Sequence, residues 1–174
     1  MEMYTKKAKS ISFDSVNKRD KADVKYIVIH YTGGTKDTAK NNVDYFANGN
    51  TATAGAHFFV DQEGKIGKSI PMERAAWAVG GKKYPTAGGT LYGEVTNDNS
   101  ISIELCAIAD KEPSDAMVKA VAELIVYIRK YCPLAMPIVR HFDVNGKACP
   151  LPMIKAEDWD RFLMRVGKEY LFLR

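Results

Sequence analysis

Only three histidines occur in the 174 residues, and two of them stand where a short β-branched run gives way to a loop. His30 follows Tyr26-Ile27-Val28-Ile29 and precedes the turn Thr32-Gly33-Gly34-Thr35, whereas His141 follows Pro137-Ile138-Val139-Arg140. Cys149 comes eight residues later, in Phe142-Asp143-Val144-Asn145-Gly146-Lys147-Ala148-Cys149-Pro150. Two imidazoles and a thiolate are ligands that zinc favours, and three protein ligands leave a fourth position for water. A structural zinc site wants four close-spaced ligands, and the chain has no Cys-x-x-Cys. A lone histidine at a strand end is ordinarily a hydrogen-bonded residue, so on residue types alone a metal centre and a pair of structural histidines both remain open.

A metal hydrolase also needs a base for its water and a positive group for the developing oxyanion. Glu104, between Ile103 and Leu105, sits in an apolar setting that raises a carboxyl pKa, although the same pattern suits a solvent-facing strand residue. Lys147, two residues before Cys149, puts an ammonium beside any metal that Cys149 holds, and is otherwise a solvated loop lysine. Other catalytic signatures are missing: there is no Gly-x-Gly-x-x-Gly, Walker loop, His-Glu-x-x-His or Gly-x-Ser-x-Gly.

The elements that carry these residues follow from periodicity. Tyr26–His30 reads as a buried strand, and Ala39, Val43, Phe46 and Ala47 recur at helical spacing across Asp37–Ala47 until Asn48-Gly49-Asn50. His57–Asp61 and Lys65–Ile70 flank Gly64 as a hairpin, and the glycine-rich segment 80–99 reads as a functional loop. In Ser100–Cys106, Ile101, Ile103 and Leu105 share one face while Ser102, Glu104 and Cys106 share the other. Ser114 caps a helix with an apolar stripe from Met117 to Ile128, Pro137–His141 is a further strand, and Trp159, Phe162, Leu163 and Val166 mark a last helix. The order β-α-β-β-loop-β-α-β-α predicts an α/β fold, a single domain with a central mixed β-sheet flanked by helices. Residues 1–22 read as a polar lead-in and 23–174 as the functional domain.

Composition sets the outer bounds. With 46% hydrophobic and 26% charged residues the chain is an ordinary globular protein, and collagen, a coiled-coil rod and intrinsic disorder are excluded. A net charge of +4 suits an anionic partner, a cell-wall polymer or a nucleic acid, without choosing between them. No apolar stretch approaches the roughly 18 residues of a membrane span. Met1–Arg19 is basic and polar rather than a signal peptide, so the chain is made without one or has lost an export signal. Three cysteines are an odd number and read as reduced thiols, at least one with a role other than cross-linking.

Taken together, Ile27-Val28-Ile29-His30-Tyr31-Thr32, Arg140-His141-Phe142-Asp143-Val144 and Gly146-Lys147-Ala148-Cys149-Pro150 resemble the zinc N-acetylmuramoyl-L-alanine amidases of the amidase-2 family. That family includes T7-type phage lysozymes, Bacillus phage endolysins and the peptidoglycan recognition proteins. Ala56-His57-Phe58-Phe59-Val60-Asp61, Ala75-Ala76-Trp77-Ala78 and Asn99–Cys106 are similar to segments lying between its anchors, so the likeness spans about residues 24 to 166. It implies an amidase-2/PGRP-like fold and one Zn2+ per chain on His30, His141 and Cys149. Glu104 would be the general base, and Lys147 would stabilise the tetrahedral intermediate. His57, Trp77 and Asp143 would lie in or behind the substrate cleft. T7-like members carry a Tyr before the second-strand His where this chain has Ala56, which puts more weight on Glu104.

The implied activity is hydrolysis of the amide between the lactyl group of N-acetylmuramic acid and L-alanine of the stem peptide. The alternative within the same fold is a non-catalytic peptidoglycan-binding module. The expected partner is peptidoglycan, with no nucleic acid and no membrane span, and the chain is expected to be a monomer. An endolysin made in the cytoplasm and acting on the cell wall fits, as does an autolysin whose export signal has been removed.

Overall fold

The computed structural model describes residues 1–173. Its strands are β1 (Met3–Thr5), β2 (Tyr26–Tyr31), β3 (Phe58–Val60), β4 (Ile66–Lys68), β5 (Ser100–Leu105) and β6 (Ile138–Arg140). They form one mixed sheet in the order β1-β4-β3-β5-β2-β6, in which only the β3–β4 hairpin is antiparallel. The helices are α1 (Ala39–Asp44), α2 (Asp115–Tyr131), α3 (His141–Asn145) and α4 (Ala156–Phe172).

Strand alternation decides which face is core. Ile27 and Ile29 of β2 and Ile101, Ile103 and Leu105 of β5 pack with Leu124, Ile125 and Ile128 of α2 and Trp159, Phe162 and Val166 of α4. The Ser114 hydroxyl accepts the Met117 N–H at 3.0 Å and starts α2 where its apolar stripe begins. The opposite face is buried too: Val28 packs with Val79, Val95 and Val144, and Phe59 with Ala39, Val43 and Cys106. A central parallel strand covered on both sides accounts for the unbroken apolar run before His30. All three cysteines are free thiols.

Four features depart from the expected order. The lead-in is built into the fold: β1 pairs in parallel with β4, and Ser12 and Phe13 are buried. This edge strand is half-buried at Met3 and exposed at Tyr4 and Thr5, so no apolar run marks it in sequence. The helix expected over Asp37–Ala47 is α-helical only to Asp44 and continues as a wider π turn over Tyr45–Gly49. His141 does not end a strand; β6 stops at Arg140 and His141 is the first residue of α3. The reason is Asp143, whose Oδ2 accepts the Arg140 N–H at 2.8 Å and turns the chain into a helix. The fourth is α3 itself, five residues that end at Gly146 in the left-handed conformation (φ 83°).

Candidate metal centre and cleft

The parallel strands β2, β5 and β6 end on one edge of the sheet, the position where open α/β folds place their ligands. Register puts His30 directly beside Glu104, and Glu104 beside Phe59 on its other flank. On the far side of β2, Ile29 pairs with Arg140, so His141 leaves the sheet next to His30; their ring centroids are 4.6 Å apart. Cys149 returns from α3 to place its Sγ 3.8 Å from His30 Nδ1.

The donor atoms of His30, His141 and Cys149 lie within 4.8 Å of one another, and all three residues are buried. That is close enough for one ion with bonds of about 2.0–2.3 Å to draw them together. The imidazoles are otherwise poorly satisfied. His30 Nε2 and both ring nitrogens of His141 are buried without a hydrogen-bond partner, an arrangement worth about 1–3 kcal/mol of lost stability per group unless something binds there. Burial, then the neighbouring His141 and Lys147, holds His30 neutral well below its ordinary range; burial and Lys147 bring His141 to about 4. Neutral imidazoles are the form that ligates metal. Burial, reinforced by Glu104, pushes the Cys149 thiol up to about 12, a trend that a bound cation reverses. Donor chemistry, burial and unfilled valence therefore all fit a divalent metal.

Burial also raises the Glu104 carboxyl from 4.5 to about 7, with Asp37 adding to the effect and Lys147 opposing it. Its Oε2 has neither solvent nor a hydrogen-bond partner. A cleft of about 430 Å³ is lined by Thr53, Trp77, Gly80, Tyr84, Asn97 and Asn145 together with His141 and Lys147. Two other depressions, of about 370 and 730 Å³, include neither His141 nor Lys147.

The segment 80–99 is held against α3 by backbone hydrogen bonds from Tyr84 N to Asn145 O (2.7 Å), Gly89 N to Phe142 O (2.8 Å) and Leu91 N to Asp143 O (2.9 Å). A Cβ on Gly88 would come within 2.4 Å of Phe142 O, so only glycine permits this close approach. At the far end, Asn97 Oδ1 accepts the N–H groups of Ala78 (3.0 Å) and Val79 (2.9 Å) and shapes the wall beside Trp77.

The structure thus brings His30, His141, Cys149 and Glu104 together, with Lys147 and Trp77 on the cleft. His57 and Asp143 are elsewhere. His57 is fully buried; its Nδ1 accepts the Ser102 N–H at 3.0 Å, which leaves Nε2 to donate to Arg74 O at 2.9 Å. Burial and the Arg19 guanidinium keep that ring neutral, at about 3. Asp143 pairs with Arg140 at 2.6 Å and caps α3, so it orients the helix that carries His141. Asn97, Asn145 and Tyr84 carry no motif of their own in the sequence beyond the run Asn97-Asp98-Asn99 that closes a glycine-rich loop.

Residues 20–152 match the family model described as N-acetylmuramoyl-L-alanine amidase. The chain is 33% identical over 139 residues to the amidase CwlL of Bacillus licheniformis, covering 76% of this chain and 38% of that protein. It is 30% identical over 139 residues to BlyA of Bacillus subtilis, covering 75% and 37% respectively. The chain therefore spans about two fifths of the length of these relatives. Its fold superposes on the structure of PlyL with a TM-score of 0.74 at 23% identity, over 95% of this chain and 97% of that one. By the extent of the family match and the likeness to these relatives, the chain belongs to the N-acetylmuramoyl-L-alanine amidase family.

Proposed function

We propose that this chain hydrolyses the amide between the lactyl group of N-acetylmuramic acid and L-alanine in peptidoglycan, using one zinc ion held by His30, His141 and Cys149. The observation that carries the reading is the convergence of His30, His141 and Cys149, with three histidine nitrogens buried and unpartnered, beside a carboxyl shifted to about 7. When bound, zinc supplies Lewis acidity to water and to the scissile carbonyl. Glu104, ionised at neutral pH in a substantial fraction of molecules, accepts the proton of the attacking water at its carboxylate. As the water oxygen adds to the carbonyl carbon, the Lys147 ammonium offers opposite charge to the developing oxyanion. Glu104 then returns the proton to the nitrogen of L-alanine, and the C–N bond breaks. Trp77, Tyr84, Asn97 and Asn145 supply an aromatic and amide surface suited to a sugar and a peptide, and Lys147 adds positive charge for stem-peptide carboxylates.

This reading takes a monomer acting on the cell wall, whether released from the cytoplasm or exported. Mass spectrometry of soluble products from purified peptidoglycan, with and without a zinc chelator, tests it. Stem peptides beginning with a free L-alanine amine, lost on chelation and restored by zinc, are expected. Products cut between sugars or between amino acids would refute the bond assignment, and sedimentation on the wall without products would identify a binding module.

A further inference from the structure

Arg19 lies in the lead-in, one residue before the family match begins. Its guanidinium donates Nε to Met72 O (3.1 Å) and Nη1 to Asn97 O (2.7 Å), Asp98 O (2.9 Å) and Ser100 O (2.8 Å). Among the described residues no carboxylate forms a salt bridge with it. A guanidinium carries five donors in a fixed planar fork; here Nε and Nη1 span two chain segments that are 25 or more residues apart in sequence, around Met72 and across Asn97–Ser100, while Nη2 lies 3.0 Å from the buried His57 Nε2. Those segments are the two ends of the long excursion that builds one side of the cleft.

The link from Arg19 to the cleft is short. Arg19 holds the carbonyl of Asn97, and the side chain of the same Asn97 holds the N–H groups of Ala78 and Val79, between Trp77 and Gly80 on the cleft wall. Ser12, also in the lead-in, adds a second anchor: its carbonyl accepts the Trp77 N–H at 3.1 Å. Its hydroxyl accepts Asn50 Nδ2 at 2.8 Å, at the base of the loop that brings Thr53 to the cleft.

We propose that Arg19 is a positioning residue for substrate, acting through Asn97 to set the Trp77–Gly80 wall, and that the lead-in is part of the binding cleft's framework. The proposal rests on the amidase reading for its kinetic consequence but not for its structural one. Arg19 touches neither His30 nor Glu104, so its loss acts on binding and leaves the metal and the chemistry in place.

The test uses the full chain and Arg19→Met, which keeps most of the apolar stem and removes the fork. Amide hydrogen exchange needs no substrate: Ala78 and Val79 should lose protection at least tenfold relative to Ile103 on β5. Uniform loss at all three sites would overturn the proposal in favour of a general stability role. With a soluble muramyl-peptide as substrate, KM should rise about tenfold while kcat stays within about threefold and zinc content is unchanged. A fall in kcat with unchanged KM, or loss of zinc, would also overturn it. Arg19→Lys should recover part of the exchange protection, because an ammonium can reach only some of the four carbonyls. Asn97→Ala should reproduce the exchange pattern, and the double variant should be no worse than either single one. Should Arg19→Met fail to fold, Arg19→Lys decides the matter: protection at Ala78 and Val79 should fall relative to Ile103, and wild-type protection there would overturn the proposal. A wild-type chain that fails to cleave the muramyl-peptide overturns the amidase reading alone, since the exchange result stands without it.

Discussion

Replacing Glu104 with Gln separates what the carboxylate does in the reaction from what it does to the fold. The side chain lies in register between His30 and Phe59, and its Oε2 is buried without a hydrogen-bond partner. Burial is the main cause that lifts its pKa from 4.5 to about 7, so the folded chain binds this proton more tightly than the unfolded chain. Below pH 4.5 both states hold the proton and the fold loses nothing. As pH rises from 4.5 through 7 the unfolded state ionises first, and stability falls until both states are charged. The loss in the metal-free chain amounts to about 3 kcal/mol, at about 1.4 kcal/mol for each pH unit between the two values. Gln cannot ionise and escapes this change. Urea unfolding of chelator-treated wild type and Glu104→Gln, in steps from pH 4 to pH 9, should show a difference that shifts towards the variant by about 3 kcal/mol and levels off above pH 7. A difference that stays flat across that range would refute the raised pKa that follows from burying Oε2 without a partner. With zinc restored, the same variant should bind metal as wild type does and lose about 10²–10⁴-fold in turnover.

Two further substitutions probe the scaffold around the cleft. Asp143→Ala removes the 2.6 Å pair with Arg140 and the cap of α3, so thermal unfolding should move down by several degrees, equivalent to about 1–3 kcal/mol. Because His141 is the first residue of that helix, metal affinity measured by competition with a chelator should weaken as well; an unchanged affinity would show that the cap does not orient the ligand. Gly88→Ala places a methyl group against Phe142 O and should cost about 1–3 kcal/mol while raising KM, since it pushes the 80–99 segment off α3. Wild-type stability in that variant would mean the backbone yields there without strain.

Local rules accounted for much of this molecule. The alternation in Ser100–Cys106 put Glu104 opposite the core face, and the apolar stripe after Ser114 marked α2, because side-chain periods of two and 3.6 are properties of a few consecutive residues. Residue type picked out His30, His141 and Cys149, since few side chains ligate zinc. Likeness to a known family then joined them into one expected site. Two elements escaped: β1 is an exposed edge strand in a polar segment with no apolar run to mark it, and α3 is five residues set by the Asp143 cap.

What the sequence by itself determined was the set of chemically capable residues and the faces of the strands that carry them. Only the tertiary structure decided which of these share a volume. His30 and Cys149 are 119 residues apart, and they meet because β6 lies against β2 and α3 turns back from its end. The same packing sent His57 inward, to a backbone N–H on β5, and gave Asp143 to Arg140. It also bound Arg19 to carbonyls far along the chain. Strand order and loop docking depend on how the whole apolar surface is buried at once, and no local window of sequence contains that sum.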